Sequence, residues 1–163
     1  MALPQPQQTT LFFLPVVMPA MIFCALIALP SCKHEKKVYT SNCNVDVSFK
    51  HVSFRHLIDS IDTYDRQYVE VSGKYEEDKE LSALFSDSTL TDGSDSNALW
   101  VSFSQDCPLY RVGTHQGLFE FNDGQFTQIN NRSVTIRGVI NLHNKGHEKK
   151  YKATIERISL VKL

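Results

Sequence analysis

Hydrophobic and polar residues follow two contrasting patterns along this chain. From Leu11 to Leu29 nearly every residue is apolar, and residues 1–32 contain no Asp, Glu, Lys or Arg. Beyond Lys33 apolar residues are spaced among polar ones, largely in alternation, which is typical of strands with one buried face. The pattern therefore predicts an apolar N-terminal segment followed by a mainly β domain.

Alternation predicts the strands of this domain, at 68–75, 81–86, 99–103, 134–142 and 151–163. Gly73 and Gly138 interrupt two of them, which indicates a bulge or a sharp bend. The acidic stretch Glu76–Glu80 is predicted to be a solvated turn. Residues 105–128 leave two interpretations open, a hairpin around Asn122-Asp123-Gly124 and a short helix.

A short helix is predicted just before the first of these strands. Ser53 is a typical N-cap residue, and Phe54, Leu57 and Ile58 follow at the spacing of one helical face. A weak alternation over residues 45–52 precedes the helix. Residues 33–44 are polar and short of large aliphatic side chains, so we expect them to form a tether.

The apolar segment ends at Leu29-Pro30-Ser31-Cys32, and the basic run Lys33-His34-Glu35-Lys36-Lys37 follows at once. A buried helix of the domain is disfavoured, because such a helix needs a polar face and prolines interrupt this stretch. A cleaved signal peptide and an uncleaved membrane anchor both fit its length.

Leu29, Ser31 and Cys32 resemble the lipobox of bacterial lipoproteins. In that family the Cys sulfur carries diacylglycerol and the signal peptide is cut just before it. The resemblance implies a signal peptide over residues 1–31, lipid attachment at Cys32, and a domain held outside the cytoplasm in the bacterial cell envelope. In the alternative, an uncleaved anchor, the basic flank would favour a cytoplasmic domain.

Strands bent at glycine, about five in number, together with one helix indicate a small barrel such as the OB-fold. The stretch from Ser53 to Gly73 is also similar to bacterial OB-like envelope proteins, in which a short helix leads into the first strand. We therefore expect a signal peptide (1–31), a lipidated tether (32–44) and a five-stranded OB-like β-barrel with one short α-helix (45–163).

Two of the four cysteines have no role in this scheme. Cys24 lies in the apolar run and Cys32 is the predicted lipid site, which leaves Cys43 and Cys107. In an oxidising compartment these two are candidates for a disulfide. Two separate thiols are the alternative.

Charge and motifs disfavour several classes of function. The chain has 17 basic and 18 acidic residues, all after residue 32, so the domain lacks the basic excess of a nucleic-acid binder. It has no nucleophile elbow, phosphate-binding loop or dinucleotide-binding glycine pattern, and we expect neither an enzyme nor a cofactor. We expect no metal site either, although two groups were considered: His115, His143, His147 and Glu148 for zinc, and Asp87, Asp92 and Asp95 for calcium.

The sequence predicts a non-catalytic binding module with a protein, peptide or glycan partner. Barrels of this class bind through the loops between strands one and two and between strands four and five, here Glu76–Glu80 and His143–Lys150. The alternative is an OB-type single-stranded nucleic-acid-binding domain on an uncleaved anchor. In that case Trp100, Phe103 and Tyr110 would form a platform on which bases stack.

Overall fold

The structure is a computed structural model, and it describes residues 36–87, 95–120 and 126–163. The predicted signal peptide and Cys32 lie outside these residues, as does the predicted hairpin turn at Asn122-Asp123-Gly124. The helix and strands of the described residues are β1 (Val38–Thr40), β2 (Lys50–Val52), α1 (Phe54–Asp59), β3 (Tyr68–Asp78), β4 (Leu81–Phe85), β5 (Leu99–Val101), β6 (Tyr110–Arg111), β7 (Arg132–Asn141) and β8 (Ala153–Lys162).

Five of these strands close into a barrel. β3 pairs with β4 on one side and with β7 on the other, β4 pairs with β5, and β8 joins β5 to β7. All these pairs are antiparallel except β5 with β8, which is parallel. The prediction of a mainly β fold with a five-stranded barrel and one short helix is confirmed, and the barrel is compatible with an OB-like architecture.

The alternating residues fill the barrel, as their pattern predicts. Val69 and Val71 of β3 and Ile136 and Ile140 of β7 are fully buried. Helix α1 begins at Ser53, whose hydroxyl accepts a hydrogen bond from the His56 N–H at 3.4 Å. The apolar face of α1 joins the same core through Phe54, Leu57 and Ile58.

Gly138 marks the point at which β7 bends. The register between β7 and β8 shifts between Arg137 and Val139. A Cβ atom at Gly138 would lie 2.7 Å from the Glu156 carbonyl oxygen and 2.8 Å from the Ile155 side chain. The neighbouring strand thus approaches so closely that only glycine fits without a shift, as expected at a bulge.

The folded domain begins earlier than the sequence indicates. Residues 38–40, assigned to the tether, form β1, which pairs with β8 and β6. Tyr39 is 1% exposed and belongs to the core. A strand of three residues is too short to show alternation, so its pairing partners rather than its own pattern determine its structure.

The turn expected at Glu76–Glu80 is also shorter than predicted. β3 continues to Asp78 and pairs with β4 as far as Leu81, so the turn between the strands consists of Lys79 and Glu80. Backbone pairing with β4 compensates for the low strand propensity of the acidic residues.

Among the described residues, no helix combines the length and the apolar character needed to cross a bilayer.

Candidate functional site

A groove of about 480 Å³ lies beside β4 and β5. Strand residues form one wall, and the segment that connects β5 to β7 (residues 102–131, hereafter the connecting segment) forms the other. The lining residues are Tyr75, Glu77, Asp78, Lys79, Leu81, Ser82, Trp100, Val101, Ser102, Phe103, Phe119, Phe126 and Thr127.

Several aromatic side chains line this groove and pack against one another. The ring of Phe103 packs edge-on against Tyr75 at 5.9 Å and against Phe119 at 5.1 Å between centroids. Phe119 is 44% exposed and Phe126 is 58% exposed. Phenylalanines are ordinarily buried, and clustered exposed ones in a concave surface are typical of a binding site.

Glu77 holds the connecting segment against the barrel. Its carboxylate accepts hydrogen bonds from the N–H and, at 2.9 Å, from the hydroxyl of Thr127, and its own N–H donates to the Asn130 amide oxygen at 3.0 Å. The Tyr75 hydroxyl donates to the same carboxylate at 3.0 Å. Charge-assisted bonds of this kind are stronger than neutral ones, so they fix the position of Phe126 beside Thr127.

Tyr75 is a neutral hydrogen-bond donor at the floor of the groove. Burial raises the pKa of its hydroxyl well above the usual value, and the nearby Glu77 carboxylate raises it further against the opposing effect of the Ser82 hydroxyl. The phenol therefore stays protonated at physiological pH. It serves as a structural donor and lacks the lowered pKa of an activated base.

The proposed platform of Trp100, Phe103 and Tyr110 is divided between two places. Trp100 packs against Tyr151 with 5.1 Å between ring centroids, and a Cβ atom at Gly146 would lie 2.6 Å from the indole. The loop between β7 and β8 therefore covers part of the indole. Trp100 and Phe103 line the groove, whereas Tyr110 lines a neighbouring hollow with Phe103.

The two predicted binding loops meet at one end of the groove. The His147 Nε2 lies 3.5 Å from Glu80 Oε2. Both residues line a hollow of about 240 Å³ that includes Asp78, Leu81, Lys150 and Tyr151. Nearby, the hydrogen bond and charge of Lys150 lower the pKa of the Glu148 carboxyl. Asp78 and Leu81 line the groove as well, so the loop hollow adjoins it.

A second hollow, of about 520 Å³, extends the groove in the other direction. Phe103 and Phe119 line both spaces, and the hollow continues to Cys107, Tyr110 and Gly117. The groove thus has a neighbouring hollow on each side that shares lining residues with it, one at the two loops and one at the connecting segment. Adjoining concave surfaces of this kind suit a chain-like ligand.

The structure brings Cys43 and Cys107 together as a disulfide, with Cα atoms 5.5 Å apart. The bond joins the N-terminal part of the domain to the connecting segment. Cys107 is 7% exposed and lines the second hollow. The position of the connecting segment is thus fixed by a covalent bond at Cys107 and by the Glu77 hydrogen bonds at Thr127.

The histidines of the predicted zinc group form separate pairs with carboxylates. The His147 Nε2 lies 3.9 Å from Glu148 Oε1 and 3.5 Å from Glu80 Oε2, whereas the His143 Nε2 lies 4.0 Å from Asp65. His115 is exposed, and Asp87 accepts a hydrogen bond from the Ser133 hydroxyl at 2.8 Å. Within the described ranges, no group of three His, Cys, Asp or Glu side chains has the geometry to hold a metal ion. Asp92 lies outside these ranges.

The sequence does not predict the exposed phenylalanines of the groove or the role of Glu77. It places Phe119 and Phe126 in a stretch that is either a hairpin or a short helix, and Glu77 in a solvated turn. The structure places all three in the lining of the groove. The available signal was the presence of several phenylalanines in a stretch without any strand or helix period.

Comparison of the chain with protein-family models, curated proteins and solved structures found no match.

Proposed function

We propose that this protein is a lipid-anchored lipoprotein of the bacterial cell envelope whose barrel is a non-catalytic binding module. The observation that carries the binding role is the groove beside β4 and β5 with its exposed Phe119 and Phe126. The location rests on the lipobox-like residues that end at Cys32, with the domain outside the cytoplasm.

An extended peptide segment of a partner protein is the ligand that suits the groove best. The groove shares lining residues with both neighbouring hollows, and exposed phenylalanines provide sites for apolar side chains. Tyr151 and Gly146 cover part of the Trp100 indole, which leaves less ring surface for stacking a sugar or a base. The carboxylates of Glu77 and Asp78 in the groove disfavour a phosphate backbone.

The polar groups of the groove support binding rather than catalysis. Glu77 is engaged by Tyr75 and Thr127, and Ser82 donates to the Val101 carbonyl at 2.8 Å. A nucleophile needs an adjacent base that activates it, and no such pair is formed by these side chains.

The test is a binding screen with the full-length lipoprotein in nanodiscs, against a random-peptide phage library, a glycan array and single-stranded oligonucleotides. We expect enrichment of peptides that contain aromatic or aliphatic residues. Phe126→Ser should weaken binding of an enriched peptide by about tenfold or more, because truncating a buried aromatic anchor costs 1–3 kcal/mol.

The matched control is Val45→Ser. Val45 is 65% exposed and is outside the three linings, so this change should leave affinity within about twofold. Glycans or oligonucleotides that bind in a Phe126-dependent way would replace the peptide assignment. Peptide binding that Phe126→Ser leaves unchanged would contradict the groove as the binding site.

A further inference from the structure

A short hairpin carries an exposed aliphatic side chain at its tip. The hairpin runs from Tyr110 to Gly117, and its turn is closed by a hydrogen bond from the Thr114 N–H to the Arg111 carbonyl at 3.0 Å. Val112 occupies the turn and is 60% exposed, and Tyr110 is 48% exposed. Turns are usually built from polar residues and glycine, so an exposed valine there is unusual.

This hairpin is fixed beside the point where the chain enters the described domain. The Val112 N–H donates to the Val38 carbonyl at 2.9 Å, and Tyr39 pairs with Arg111. Cys32 is six residues before Val38 in the sequence. Even a fully extended chain of that length spans only about 21 Å, so the hairpin tip stays within that reach of the proposed lipid attachment.

Basic residues accompany the hairpin. Lys36 and Lys37 directly precede β1, and Arg111 lies in β6 beside it. The Lys37 ammonium donates a hydrogen bond to the Gln128 amide oxygen at 2.9 Å. Because this amide is neutral, the bond does not neutralise the positive charge of Lys37. Basic residues near an anionic lipid surface are attracted to it, and Tyr is enriched at the headgroup level.

We propose that the hairpin tip, Val112 with Tyr110 and Arg111, contacts the surface of the anionic membrane that holds Cys32. This inference rests on the proposed lipid attachment. Tyr110 also lines the second hollow, so the contact would place that hollow at the membrane. None of the three hairpin residues lines the hollow between the two loops, with Glu80 and His147, so that hollow would stay open to a partner.

The test uses the full-length lipidated protein in liposomes of phosphatidylcholine and phosphatidylglycerol that carry bromine-labelled acyl chains. Trp is placed by Val112→Trp and, as the control, by Val45→Trp, which is equally exposed in the described structure. Trp100 contributes the same background to both variants. We expect bromine quenching of the added Trp to be about twofold or more greater for Val112→Trp, because interfacial side chains reach 5–10 Å into the headgroup region.

Flotation of both variants with the liposomes separates the two claims. Variants that float and show equal quenching would overturn the hairpin contact while leaving lipid attachment intact. Variants that fail to float would overturn lipid attachment, and the membrane contact with it.

Discussion

At the scale of single residues, the bend of β7 depends on the absence of a side chain at Gly138. A methyl group there would lie within 2.9 Å of the Ile158 Cδ1 and closer still to Glu156 and Ile155. Gly138→Ala should lower the free energy of unfolding by about 2–3 kcal/mol, because overpacking a core forces the backbone or side chains to shift. Urea denaturation followed by circular dichroism measures this change.

Gly117→Ala is the matched control for that substitution. Its added Cβ atom would have Glu120 as its nearest neighbour, at 3.6 Å, which is an ordinary van der Waals distance. We expect a change below about 1 kcal/mol there. Equal effects at the two glycines would show that the close approach of β8 at Gly138 has no energetic consequence.

The hydrophobic pattern of the sequence predicts only some of the residues that line the groove. The sequence predicts Trp100 as part of a stacking platform, and the structure places it in the groove wall against Tyr151. Phe119 and Phe126 follow no period, so only the folded connecting segment reveals that they are exposed. The role of Glu77 is equally hidden, because its partner Thr127 is 50 residues away in the sequence.

At the scale of elements, the Cys43–Cys107 bond joins two parts of the chain that carry little regular structure. The bond closes a loop with a sequence separation of 64 residues. Replacing both residues, Cys43→Ser with Cys107→Ser, should lower the free energy of unfolding by up to about 4 kcal/mol in the chain-entropy model. Urea denaturation of this variant beside the wild type measures the loss.

Alkylation of the unfolded, unreduced protein provides the independent check on that pairing. Paired Cys43 and Cys107 should resist maleimide until a reductant is added. Full labelling of both thiols without reductant would show that they are separate, which is the alternative that the sequence left open.

The long strands, in which apolar and polar residues alternate over many positions, could be predicted from the sequence. The shortest strands could not. β3, β7 and β8 each run for ten residues or more and contribute apolar side chains to one core. β3 and the first part of β7 bury alternate side chains, so their own sequences specify them, whereas β8 also buries consecutive residues. β1 and β6 are three and two residues long, and they form because β1 pairs with β6 on one side and with β8 on the other. The turn between β3 and β4 was misplaced because strand pairing extended through acidic residues.

At the scale of the whole molecule, lipid attachment and the groove would act together. A domain restricted to a membrane meets partners there at a raised effective concentration, so a shallow groove with weak intrinsic affinity can still be occupied. Val38, the first residue of β1, follows Cys32 by six residues. A lipid on Cys32 would therefore hold the barrel by a short tether, close to the bilayer.

Mass spectrometry of the mature protein, purified from a bacterial membrane, tests this account most directly. The account predicts a protein that begins at Cys32, with diacylglycerol on the sulfur and residues 1–31 removed. Cys32→Ser should abolish the lipid modification and leave the signal segment uncleaved. A wild-type protein that retains residues 1–31, or that begins at an unmodified Cys32, would contradict the account.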